Sequence, residues 1–284
     1  MVIKIRGFIS RNSKKLMILL ILIAALCFAA FYNGITVTEY KILSGDITQP
    51  IRIVLLTDLH SCMYGPAQRT LINKIDRQQP DIIVMAGDIL DDIIPDGGLI
   101  MLLEGIANNY PCYYVSGNHE FWSGRAPEQK ALLRSYGVTV LEGEAAAVSV
   151  NGQPLLICGV DDPEVGAQVF DEQLETVGGL SADAFKLLLS HRPERFETYA
   201  DYDFDLVLCG HAHGGQWRIP LLLPNGLFAP NQGWFPAYTR GIHELNGTKM
   251  LVSRGLSRES SRLPRIFNAP EVVVVVIDSA ETQH

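Results

Sequence analysis

Residues 51–60 read IRIVLLTDLH, an apolar run that stops at an acid and a histidine two positions apart. A short, nearly continuous run of β-branched and aliphatic residues marks a strand buried on both faces. The pattern recurs down the chain. Residues 81–86 (DIIVMA) lead to Gly87 and Asp88, and residues 112–116 (CYYVS) lead to Gly117-Asn118-His119-Glu120. Residues 185–190 stop at His191, and residues 206–209 stop at Gly210-His211-Ala212-His213. Helix-length segments alternate with these runs at 66–77, 99–107, 127–136, 168–176 and 193–199. Further strands are predicted over 138–141, 147–150, 155–160, 216–219, 250–253 and 272–277, with a hairpin signal at Asn151-Gly152. Repeated βα units followed by β-rich stretches predict α/β layers with mixed sheets in one domain.

The charge is uneven. The first fifteen residues carry Lys4, Arg6, Arg11, Lys14 and Lys15 and no acid. Setting those five aside leaves 18 basic residues against 31 acids, a net charge near −13 for the rest. Such a domain is a poor nucleic-acid binder, because non-specific binding runs on neutralising phosphates with Lys and Arg. No nucleic-acid surface and no protein partner are expected. Five cysteines (Cys27, Cys62, Cys112, Cys158, Cys209) show no CxxC pairing. They read as free thiols that neither staple the domain nor bind zinc.

Residues 16–32 (LMILLILIAALCFAAFY) carry no charge and follow Lys14 and Lys15 directly. The run lies between the length of a signal-peptide core and that of a membrane span, and Gly34 and Ile35 can extend it. The chain therefore divides into a basic cytoplasmic segment 1–15, an uncleaved transmembrane signal anchor 16–35 and a catalytic domain 36–284. A cleaved signal peptide is the alternative. The bases on one flank place the N-terminus in the cytoplasm and the domain on the far side of the cell membrane, as a single-pass protein.

Asp58, His60, Asp88, Asn118, His119, His191, His211 and His213 all fall just past the end of a predicted strand, where layered α/β proteins gather their ligands. Of the seven histidines, only His243 and His284 lie elsewhere. Hard oxygen ligands mixed with imidazoles suit Mn, Fe, Zn or Ni better than Ca or Mg. A lone D-x-H or H-x-H is usually a hydrogen-bonded loop, but five elements in order, each after a strand, are not explained that way.

The series D-x-H, G-D, G-N-H-E, a lone His after a strand, and G-H-x-H resembles the signature of the calcineurin-like metallophosphoesterases, from about residue 51 to 277. Thr57-Asp58-Leu59-His60, the run HAHGGQ at 211–216 and SRGL at 253–256 are similar to the membrane-associated bacterial YaeI/YkuE phosphodiesterase-type branch. The resemblance implies a four-layer α/β/β/α sandwich with two mixed central sheets. It implies two divalent metal ions (Mn2+, Fe2+/Fe3+, Zn2+ or Ni2+), with Asp58, His60 and His213 on one and Asn118, His191 and His211 on the other. Asp88 would bridge them, and His119 would face the scissile phosphate.

The expected activity is hydrolysis of a phosphodiester or phosphomonoester, by attack of a hydroxide shared between the ions while His119 protonates the leaving oxygen. A lipid-linked or cell-envelope phosphoester is the substrate that an anchor brings within reach. Alternatives are a broad protein or nucleotide phosphatase and a non-catalytic metal-stabilised binding module. Glu120 is expected either to orient His119 or to be a solvated loop carboxylate. Arg192, Arg254 and Arg262 are candidate phosphate contacts or exposed arginines. Asp161 and Asp162, which also follow a strand, read as loop residues, with support of the metal shell from outside as the alternative. The apolar insertion at 220–236 can rest on a bilayer, receive an acyl chain or pack on a core of its own, and the last is the expectation.

Overall fold

The computed structural model describes residues 2–258 and 264–280, with 2–12 as helical backbone. Arg262 and His284 therefore lie outside the described residues. Helix α1 (Val2–Ala30) comes first. Its stretch Ser13–Ala30 is long and apolar enough to cross a membrane and is almost wholly exposed.

Two six-stranded sheets follow. The first contains β1 (Thr36–Ser44), β2 (Ile51–Leu56), β3 (Ile82–Ala86), β4 (Cys112–Val115), β5 (Thr139–Val140) and β14 (Glu271–Ser279), in the order β1-β14-β2-β3-β4-β5. The second contains β6 (Ala145–Val150), β7 (Gln153–Gly159), β8 (Phe185–Leu189), β9 (Leu206–Cys209), β12 (Gly241–Leu245) and β13 (Thr248–Val252), in the order β12-β13-β9-β8-β7-β6. Strands β2 to β5 run parallel, as do β7, β8, β9 and β13. Antiparallel pairs at β14·β2, β6·β7 and β12·β13 make both sheets mixed.

Strand periodicity builds the layers. Side chains alternate across a sheet, so Ile51, Ile53 and Leu55 of β2 join Leu187 and Leu189 of β8 and Leu206 and Leu208 of β9 in a core between the sheets. The opposite phase, Val54 and Leu56, packs under α2 (Arg69–Asp76), α3 (Gly97–Ile106) and α5 (Ala126–Ser135) through Leu71, Leu102 and Leu133. On the other outer face, Val207 and Cys209 meet Phe170 and Leu174 of α6 (Ala167–Gly178) and Tyr199 of α7 (Phe196–Tyr199). The four layers are those the resemblance implies. The free cysteines are buried, except Cys27 on α1.

Three differences have physical reasons. Strand β1 was not expected, because TVTEYKILS alternates weakly and pairs with β14 from the far end of the chain. The edge strand β12 likewise has a half-exposed, alternating pattern. Residues 216–219 do not form a strand. Trp217 makes only a single bridge to Ile266, and Gln216 has a left-handed φ of 58° that breaks an extended run.

Candidate active site

Because β2, β3, β4, β8 and β9 are parallel within their sheets, the loops after them open on one edge of the sandwich. There Asp58, His60, Asp88, Asn118, His191 and His211 are all buried, and His213 is nearly so. Asp58 to His213 Nε2 spans 3.6 Å, Asp88 to His191 Nε2 3.1 Å and Asp88 to His60 Nε2 3.7 Å. Four groups can each surround a cation, Asp58-His60-His213, Asp88-His191-His211, His60-Asp88-His119 and Asp91-Asp92-His119, and the first two consist of the ligands that the resemblance implies.

The loops are held in costly conformations. Asp58, His60, Asp88, His211 and His213 all have φ between 47° and 66°, a region that costs roughly 1–2 kcal/mol for an L residue and that gathers at functional sites. Two glycines permit the close approach. A Cβ on Gly117 would stand 2.2 Å from Asp88 Oδ1, and one on Gly255 (φ 73°) would stand 2.6 Å from the Asp58 side chain.

The atoms that face inward fit metal ligation. His60 Nε2 and Asn118 Oδ1 are buried with no hydrogen-bond partner, although such orphans normally cost about 1–3 kcal/mol each, and His191 Nε2 faces only the Asp88 carboxylate at 3.1 Å. The opposite nitrogens explain their state. His191 Nδ1 donates to the Ala86 carbonyl at 2.8 Å, and His60 Nδ1 donates to Asp91 at 3.2 Å. Each bond leaves a lone pair on Nε2, aimed into the cluster. His211 is reversed: its Nε2 lies 2.8 Å from Asn231 Oδ1, which leaves Nδ1 to face the cluster. At His213 a guanidinium, Arg265 Nη2, faces Nδ1 at 3.4 Å.

Burial drives the electrostatics. It raises the Asp58 carboxyl and pushes His211 and His213 well below the ordinary imidazole range, with Arg265 and His60 adding to the effect at His213. Burial also disfavours charge on Asp88 and His191. There the mutual contact outweighs it, lowering Asp88 well below the carboxylate range and raising His191 to about 10. His211 and His213 are thus neutral imidazoles, and the proton that the Asp88–His191 contact holds is one that a bound cation would displace, so the cluster is a cation-binding donor set.

His119 stands at the mouth, partly exposed. Its backbone N–H donates to Asp88 Oδ1 at 2.9 Å, and its ring meets His60 edge-on at 4.3 Å between centroids. Its Nδ1 is 2.7 Å from Asp92 Oδ1 and 3.6 Å from Asp91 Oδ2. The expectation that Glu120 orients His119 is corrected here. Glu120 is fully buried, and its carboxylate accepts the backbone N–H groups of Asp88, Ile89, Leu90 and Gly117 at 2.8–3.1 Å. It pins the Asp88 loop to the His119 loop, and burial together with the Asp88 charge raises it to about 7.

Arg192 is neither exposed nor free. It is buried in a bidentate pair with Asp162, and its Nη1 donates to Asn231 at 2.7 Å beside His211. Arg254 pairs with Glu271 at 2.6 Å, which makes it a structural contact. Asp161 accepts from Ser116 and Lys130, each at 2.6 Å, and braces the end of β4 from outside the cluster. Sequence reading missed Asp91, Asp92, Asn231 and Arg265. The D-D pair after Gly87-Asp88-Ile89-Leu90 was the one visible signal among them.

A family model for calcineurin-like phosphoesterases matches residues 51–215. The uncharacterized metallophosphoesterase YkuE of Bacillus subtilis is 31% identical over 257 residues, covering 86% of each chain. Phosphodiesterase YaeI of Escherichia coli is 28% identical over 219 residues, covering 74% of this chain and 77% of its own. Among solved structures, a dimetal phosphatase from Danio rerio superposes with a TM-score of 0.43 at 13% identity, over 72% of this chain and 88% of that one.

Proposed function

The chain belongs to the calcineurin-like phosphoesterase family, and from that premise we propose that it is a membrane-anchored, dinuclear phosphoesterase acting on a lipid or cell-envelope substrate. The observation that carries the dinuclear reading is the set of buried inward-facing atoms, His60 Nε2, His191 Nε2 and Asn118 Oδ1, gathered around the carboxylates of Asp58 and Asp88. Asp58, His60 and His213 would hold one ion and Asn118, His191 and His211 the other, with Asp88 between them.

Bound divalent ions supply Lewis acidity and lower the pKa of water. The side chains do the rest. Asp92 accepts the Nδ1–H of His119, and in its imidazolium form His119 keeps that bond while its Nε2–H passes a proton to a leaving oxygen. Glu120 keeps the Asp88 and His119 loops in register through four backbone bonds. Arg192, already engaged by Asp162, acts through Asn231 on the orientation of His211 rather than by a free fork on phosphate.

The anchoring reading rests on α1. Its exposed, apolar residues 16–30 follow five bases and suit a signal anchor with a cytoplasmic N-terminus and an extracytoplasmic domain. The activity test is turnover of bis-p-nitrophenyl phosphate and p-nitrophenyl phosphate by the full chain in detergent, before and after chelation. Turnover should vanish with chelator and return with Mn2+ or Zn2+. Asp92→Asn should lower kcat roughly 10-fold at unchanged KM and metal content, with Asp92→Glu restoring part of it. Undiminished turnover in the chelated protein would end the metal reading.

A further inference from the structure

We propose that residues 219–235 form a second membrane contact, a bilayer-docking hairpin whose apolar pocket admits an acyl chain beside the metal-ligand loop, so that the substrate is a phosphoester carried on a membrane lipid. The inference rests on the anchored reading above and specifies it.

The expectation that this insertion packs on its own core does not hold. Leu221 is 97% exposed, Leu222 78%, Phe235 69% and Trp234 67%. Around its short hairpin, β10 (Phe228–Ala229) and β11 (Gly233–Trp234), the rings of Phe228 and Trp234 stack edge-on at 5.6 Å between centroids. With Trp217 and Leu227 they line a pocket of about 270 Å3 whose walls expose no polar surface. Apolar side chains exposed together along one short insertion, beside an apolar pocket, mark an interaction site.

The occupant follows from the neighbours. The carbonyl of Ala30, at the end of α1, accepts the Phe267 N–H at 2.7 Å. The next residue, Ile266, exchanges hydrogen bonds with Gln216 and Arg218, at the root of the insertion. One short hydrogen-bonded segment therefore joins the exit of the apolar helix to the start of the apolar loop. A bilayer that takes α1 meets 219–235 as well.

The base of the insertion is cationic. Arg218 and Arg240 both donate Nε to the Pro224 carbonyl, at 3.0 and 2.9 Å, and their Nη groups make no hydrogen bond or ion pair among the described residues. Burial and the Arg240 and Arg254 guanidiniums pull Arg218 down to about 10, so it gains from a nearby anion while staying charged at neutral pH. Aromatic and aliphatic tips over a basic collar are the composition of an interfacial element on anionic lipid.

The pocket also adjoins the chemistry. Gln216, on its wall, follows closely after His213, and Leu227 N–H donates to Gly215 at 2.9 Å. Asn231, in the hairpin turn, reaches His211. A chain seated between Trp217 and Trp234 would carry its phosphate toward the cluster.

The test uses the full chain in nanodiscs of phosphatidylcholine and phosphatidylglycerol, with Trp122→Phe and Trp217→Phe leaving Trp234 as the fluorophore. Trp234 should lose fluorescence when the acyl chains are dibrominated, and Leu221→Asp with Leu222→Asp should abolish that loss. The same double variant should lose turnover of phospholipid while keeping turnover of bis-p-nitrophenyl phosphate. An unquenched Trp234 in a chain that resists carbonate extraction overturns this proposal and leaves the anchor standing. So does a Trp234 shielded only at high protein concentration, which would mark a contact between copies. A chain released by carbonate overturns the anchored reading, and this inference with it.

Discussion

Around Asp58 and Asp88 the chain buries carboxylates and imidazoles, whereas in 219–235, a few residues beyond His213, it exposes leucines and aromatic rings. Both regions run against the usual partition of polar and apolar groups between surface and core. The first does so with its ligands held in place: Ala86, Asp91 and Asn231 hold the imidazoles, and Glu120 holds the loops. The second does so with few commitments, since Leu221 and Leu222 rest on almost nothing. A site that must keep atoms within tenths of an ångström needs a rigid surround. A surface that meets a fluid bilayer needs only composition and reach. On the proposed reading each region becomes ordinary, with cations among the carboxylates of the first and lipid against the side chains of the second.

The largest effect should come from Asp88→Asn. Removing the charge shared by both halves should lower ion content and turnover together, on the order of 10³-fold or more in kcat/KM. Elemental analysis beside the assay checks it, and a variant that keeps both ions would remove Asp88 from the bridging position. The next effect belongs to Asn231, which sits in the insertion and holds His211 of the cluster. Asn231→Ala should weaken metal binding roughly 10- to 100-fold, as loss of the partner of a ligating imidazole does, read by competition with a chromophoric chelator. Unchanged affinity would uncouple the insertion from the cluster.

The smallest effect is a control away from both regions. Glu142 is partly buried, yet Lys130 and Arg134 outweigh that burial and hold it below the usual carboxylate range. A depressed folded pKa gives stability that is complete above about 4.5 and is lost as pH falls through the folded value. Glu142→Gln should therefore flatten the acid side of a urea-stability profile by about 0.5 kcal/mol or less, without touching turnover.

The strands that position the ligands were legible because strands buried on both faces read as apolar runs, and the ligands sit at their ends. Thus Asp58, Asp88, His191 and His211 could be placed on one edge before any coordinates. Their supports could not. Asp92 and Asn231 lie in loops whose course depends on distant contacts, and an Asp or Asn in a loop is the commonest of turn residues. Glu120 was misplaced for a related reason: three of its four amide partners come from the Asp88 loop, about thirty positions earlier in the chain. Exposure of the insertion was likewise unreadable, since a Leu- and Trp-rich run has one composition whether it packs or not.

The most direct measurement is metal content and turnover on the same preparations of full-length protein, wild type and His119→Ala. The account predicts two ions per chain in both, with turnover lost 10²- to 10⁴-fold in the variant alone. Loss of metal in the variant would make His119 a ligand, and full turnover in the variant would remove it from the chemistry. Fewer than two ions in an active wild type would contradict the dinuclear site itself.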